Sequence, residues 1–124
     1  MILHLVPAPE WDAVPAGGSY APASLATEGF VHCTSDEATL LRVADAFYRG
    51  VPGELVVLTV DDARVGAEVR WEPPAHPDPG APPPDTGDAL FPHVLGPLPR
   101  AAVVAERRLV RDAAGRPTGY APRA

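Results

Sequence analysis

The stretch Leu55-Val56-Val57-Leu58-Thr59-Val60 has one polar residue in six, and this near-continuous apolarity is the tightest constraint on how the chain folds. A strand with one wet face alternates apolar and polar residues. This one carries apolar side chains on both faces, so it is predicted to lie centrally in a sheet. At 124 residues the chain has room for one domain burying about two thirds of its unfolded surface, and none for a second.

Other strands are expected around the central one. In Ile2-Leu3-His4-Leu5-Val6, the side chains of Ile2, His4 and Val6 share a face. In Gly29-Phe30-Val31-His32-Cys33, Phe30 and His32 point one way while Val31 and Cys33 point the other. Glu68-Val69-Arg70-Trp71-Glu72 places Val69 and Trp71 on a buried face and three charges on a wet one. Residues 102–110 read as a late strand, partly exposed because of Glu106-Arg107-Arg108.

The main helix is expected to start at an N-cap Thr34 with Glu37 at the third helical position, a capping-box spacing that Ser35 could shift by one residue. Leu40, Val43, Ala44, Phe47 and Tyr48 form its apolar stripe, and Gly50 and Pro52 stop it. A shorter helix is expected from Pro9 to residue 14, with Trp11 and Val14 on one side. Ser19-Tyr20-Ala21-Pro22 reads as loop, residues 73–84 as a long exposed proline-rich loop, and residues 112–117 as a turn and tail.

Sixteen acidic residues stand against ten basic ones, all arginine, for a formal charge of -6. That balance disfavours nucleic acid as a partner but leaves room for a single phosphate in a local pocket. The lone Cys33 has no intramolecular disulfide partner, the start of the chain lacks a basic leader, and no apolar run approaches the roughly 18 residues of a membrane span. A cytoplasmic protein without membrane attachment is expected.

GxGxxG, Walker A, GxSxG, CxxC and HExxH patterns are all missing, so any chemistry must be assembled from separated residues. His4, His32 and His93 each fall at a strand or strand end, where an imidazole can donate, accept or move a proton near neutral pH. His76, inside the proline-rich loop, is set aside. His32, His93, Cys33 and Asp88 offer metal donors without a compact ligand spacing, so no metal is expected. Cys33 reads as a small buried hydrophobe rather than a nucleophile. Thr34 and Ser35 read as helix caps, with amides at the same helix start that could receive a carboxylate or phosphate. Trp71, Phe91, Tyr20 and Trp11 are either core aromatics or walls for a flat ligand such as nicotinamide or adenine. Glu72 and Glu106 are expected to face solvent.

Taken in order, several segments resemble the small bacterial domain-of-unknown-function family numbered 952. They are His4-Leu5-Val6, Trp11, Tyr20-Ala21-Pro22-Ala23-Ser24-Leu25, Glu28-Gly29-Phe30-Val31-His32-Cys33-Thr34-Ser35, Val43-Ala44-Asp45-Ala46-Phe47-Tyr48, Leu55-Val56-Val57-Leu58, Arg70-Trp71-Glu72 and Phe91-Pro92-His93-Val94-Leu95-Gly96-Pro97-Leu98. The resemblance covers nearly the whole chain. It implies a small single α+β domain with split antiparallel sheets and a few helices, ADP-ribosyltransferase-like, with a pocket for NAD or an ADP-ribose-like group. In that superfamily polar residues on the first two core strands orient the dinucleotide. The resemblance implies His4 and His32 at those early positions and His93 as a later pocket group; together with Thr34, Ser35, Trp71 and Phe91 from the reading of the residues, His4 and His32 are the expected cofactor-binding residues and His93 the expected catalytic one. The implied reaction is loss of nicotinamide and capture of the ribosyl C1 by an acceptor that His93 orients or deprotonates. A late-strand catalytic-glutamate motif is missing, and Glu106 beside Arg107-Arg108 does not supply one. The competing expectations are a noncatalytic nucleotide-metabolite-binding module and a small interaction protein.

Overall fold

The computed structural model describes residues 1–74 and 90–123. Along the chain run β1 (Ile2–Pro7), α1 (Ala8–Asp12), β2 (Ser19–Tyr20), α2 (Ala23–Glu28), β3 (Val31–His32), α3 (Glu37–Phe47), β4 (Leu55–Val60), β5 (Val69–Glu72), β6 (Phe91–Val94), β7 (Leu98–Pro99), β8 (Val103–Arg111) and β9 (Pro117–Pro122). They form an α+β fold with split antiparallel sheets, in the orders β1-β4-β8-β9, β2-β7 and β3-β6-β5. Most of the proline-rich loop expected at 73–84 lies outside the described residues.

β4 is central, as its apolar run requires, between β1 and β8. Leu55, Val56, Val57, Leu58 and Val60 are all fully buried, and each such burial stabilises by about 1.5–3 kcal/mol. Their alternation divides the core in two. Val56, Leu58 and Val60 join Ile2, Val6, Trp11, Val31 and Val94 on one face. Leu55 and Val57 join Leu3, Leu5 and the α3 residues Leu40 and Ala44 on the other. The register that pairs Ile2 with Val60 and Val6 with Val56 also pairs His4 with Leu58, setting an imidazole into an otherwise apolar row.

The free edge of β1 is covered by the segment after β3. Leu3 and Thr34 exchange two backbone hydrogen bonds, both 2.8 Å, in an antiparallel bridge. This bridge overturns the expected cap, because Thr34 is held in sheet geometry and cannot start the helix. Asp36 is the N-cap instead, its carboxylate accepting from the Thr39 amide at 2.8 Å and from the Thr39 hydroxyl at 3.0 Å. Asp is as good a cap as Thr, and its partner sits three residues on as capping geometry demands.

Two further expectations are corrected, and one helix is added. Ser19-Tyr20, read as loop, pairs with Leu98-Pro99. A short helix, α2, follows it and ends at Gly29, whose φ of 86° is a left-handed stop. The tail folds back as β9 on the outer edge of β8, where Pro117 and Pro122 are tolerated because an edge strand has one unpaired side. Arg123 anchors that end, donating to Asp12, Glu54 and Glu106 at 2.6–2.9 Å.

Replacing Asp36 by Ala is expected to lower unfolding free energy by about 0.5–2 kcal/mol. Hydrogen bonds from Thr39 hold the Asp36 carboxyl below its usual range. Its contribution is therefore present above the unfolded-state value near pH 4 and lost as pH falls through the lower native one. Denaturant unfolding of the variant at pH 7 checks this, and an unchanged midpoint would contradict a stabilising Asp36 cap.

Candidate functional site

A cavity of about 270 Å³ opens beside β1 and is lined from β1, β3, α3 and β6, with contributions from the segments around α1 and α2. His4, on β1, is its most informative residue. Its Nδ1 lies 2.7 Å from the His32 carbonyl oxygen, and because a carbonyl only accepts, Nδ1 carries the proton. Burial is the main cause that pushes the His4 pKa down to about 4, against the carbonyl contact, which raises it; the nearby His32 ring adds a smaller lowering. The ring is therefore neutral at pH 7, and its Nε2 is a lone-pair acceptor. That nitrogen and the Thr34 hydroxyl are both buried without a hydrogen-bond partner among the described residues.

Two further imidazoles of the lining are each supported by a carboxylate. His32 and His93 are direct cross-strand partners in β3 and β6, their rings 5.7 Å apart and near perpendicular. The Nε2 of His32 donates to Glu28 at 2.6 Å, and the Nδ1 of His93 donates to Glu72 at 2.9 Å. Each bond fixes one ring nitrogen as donor and leaves the other to act. Phe30 stacks on His93 at 4.1 Å and closes one side of the pair. Tyr20 also lines the cavity, its hydroxyl donating to Glu10 at 3.1 Å, and burial raises that hydroxyl's pKa.

Of the residues singled out from sequence, His4, His32, Thr34, Phe91 and His93 line this one cavity. Ser35 does not: it is exposed and donates to the neighbouring Asp36. Trp71 does not either, and at 49% exposure it contradicts the expected buried face. β5 is an edge strand of its sheet, and on that face Val69 packs against the core while Trp71 is left half exposed. The face expected to be wet instead carries Glu72 to the buried His93. Glu106 is held by Arg123 and lies outside the cavity lining. Cys33 lines the cavity, but burial raises its thiol pKa, so it stays a protonated, apolar wall. Among the described residues no three His, Cys, Asp or Glu side chains converge as metal ligands, and His76 and Asp88 lie outside them.

Sequence reasoning missed Glu28 and undervalued Glu72. The first had a signal, since Glu28 precedes His32 by four residues. The second had none locally, because 21 residues separate Glu72 from His93. Val43 and Phe47, placed on the helix stripe for the core, turn partly toward the cavity.

The depressed His4 pKa makes stability depend on pH with a definite sign. Below about pH 6.5 the unfolded chain takes up a proton that native His4 refuses until about pH 4. Stability therefore falls as pH drops through that window, by up to about 3 kcal/mol from this residue. Urea unfolding across pH 4 to 7 is expected to show this slope, reduced by about one proton in His4→Gln. Equal slopes in the two proteins would contradict a buried neutral imidazole.

The structure has close counterparts in the crystal structure of protein CC0527 from Caulobacter crescentus and in that of a double methionine variant of the same protein. Each superimposes with a TM-score of 0.74 at 30% identity, covering 94% of this chain and 92% of the other. No curated protein matches the chain. Among the described residues, no helix is long and apolar enough to cross a membrane. Residues 5–106 match the family model described as protein of unknown function DUF952, and with the likeness to the Caulobacter protein over nearly the full length of both chains, this protein belongs to the DUF952 family.

Proposed function

We propose that the cavity binds the ribosyl part of a nicotinamide- or adenine-bearing compound, the class that includes NAD and ADP-ribose, and that His93 serves as base in transfer of the ribosyl C1 from the base nitrogen to an acceptor oxygen. The observation that carries this reading is His4, whose protonated Nδ1 is tied to a backbone carbonyl while its Nε2 is buried and unpartnered in the cavity wall. An unsatisfied buried polar group costs about 1–3 kcal/mol. Adjacent ribose hydroxyls relieve that cost twice, one donating to His4 Nε2 and the other meeting the Thr34 hydroxyl.

Catalysis in this reading uses few groups. The C1–N bond to the base breaks and nicotinamide leaves with the electron pair. The oxygen of an acceptor hydroxyl or water bonds to C1, and its proton passes to His93 Nε2, while Glu72 holds the opposite nitrogen and stabilises the imidazolium. Phe91 and Tyr20 supply aromatic faces for the flat base. Glu106 has no part, since Arg123 holds it elsewhere. An ADP-ribosyltransferase-like fold belongs to the same proposal and is supported by the split antiparallel sheets, with a histidine from the first strand and another from β3 meeting at one cavity. A protein-binding role is the second reading, favoured by the half-exposed Trp71 on an edge strand.

The test is an NMR titration of the histidine rings with NAD and nicotinamide riboside, with free nicotinamide followed in the same tube. Saturable shifts at His4 and His93 with nicotinamide release are expected. His93→Asn should abolish release while leaving binding within a few-fold, and His4→Phe should weaken binding about tenfold or more. Shifts without release would make the protein a noncatalytic binding module. No shift with either compound at millimolar concentration would sink the proposal.

A further inference from the structure

We infer that the site disfavours phosphate, so that within this class it prefers an uncharged or cationic riboside over a nucleotide or a dinucleotide such as NAD. The inference rests on the ribosyl reading of the cavity and narrows it by charge.

None of the ten arginines lines the cavity, and the chain has no lysine. Several of the arginines are committed elsewhere. Arg123 holds three carboxylates, Arg111 donates to the carbonyls of Tyr48 and Val51, Arg107 pairs with Glu37, and Arg100 lies over the Trp11 ring. The terminal amine pairs with Asp62. Residues 75–89, between β5 and β6, contain no arginine or lysine either; their ionisable side chains are His76, Asp78, Asp85 and Asp88.

The remaining sources of positive potential are already answered. At the start of α3, the one helix among the described residues long enough to attract an anion, the Thr39 amide already donates to the protein's own Asp36 carboxylate, which puts a negative charge there. His4 is neutral. His32 and His93 each contact a carboxylate, so each pair carries a charge of zero or minus one in either state of the ring. Glu10, the one carboxylate among the described lining residues, adds a negative field. A phosphate entering such a wall would lose hydration and gain no cation. A pyridinium or neutral base would meet the aromatic faces of Tyr20, Phe47, Tyr48 and Phe91, which favour a cation.

Calorimetric titration of the full chain with nicotinamide riboside, nicotinamide mononucleotide and NAD separates the outcomes. The riboside is expected to bind about tenfold or more tighter than either phosphorylated compound. Glu10→Gln, which keeps an oxygen acceptor for Tyr20, is expected to shrink that preference about threefold. Equal or tighter binding of the phosphorylated compounds would overturn the charge inference while leaving the ribosyl reading standing. Failure of all three to bind would overturn both. An unchanged preference in Glu10→Gln would overturn the electrostatic origin of the discrimination.

Discussion

The structure depends on β1 being paired along both of its edges. On one side it meets β4 in a six-residue antiparallel register. On the other it takes the Leu3–Thr34 bridge and the His4–His32 contact. A one-residue slip against β4 would exchange His4 with Leu3 and Leu5, setting the imidazole into the apolar face that packs on Leu40 and Ala44. Register is strongly specified because both faces of β4 are buried, and so the position of His4 is set by the packing of its apolar neighbours.

That placement makes His4 costly. Burial removes its charge, and the His32 carbonyl satisfies only one of its nitrogens. Such a residue weakens the fold unless something else satisfies it, and the cavity at its side is where that something would bind. The His32 and His93 pairs follow the opposite design, because each imidazole there has a carboxylate that orients it. The cavity lining therefore combines an acceptor held neutral with two rings, each oriented through one nitrogen by a carboxylate.

Much of the framework was legible because it follows short-range periodicity. The apolar run of β4, the strand of β1, the stripe of α3 and the late strand β8 all announce themselves in residues two to four apart. The errors arose where distant segments overrule local preference. Thr34 has a good cap's chemistry and Glu37 in the right place, yet its backbone belongs to Leu3, so Asp36 caps. Trp71 obeys its strand alternation with Val69, which packs on the core, yet it is left half exposed on an edge strand. Pro117, Gly119 and Pro122 look like breakers, and they are compatible with β9 because it lies at an edge.

The sequence by itself determined the elements and the residue types available for chemistry: a central strand apolar on both faces, a capped amphipathic helix, three histidines near strand ends, and a charge balance without lysine. It also carried the family resemblance. Only the tertiary structure decided which of those residues meet. Antiparallel pairing of β3 with β6 joins His32 to His93 across 61 positions, and the pairing of β5 with β6 brings Glu72 to His93. Neither distance in sequence nor local pattern encodes such contacts, because they depend on which strands pair and in what register.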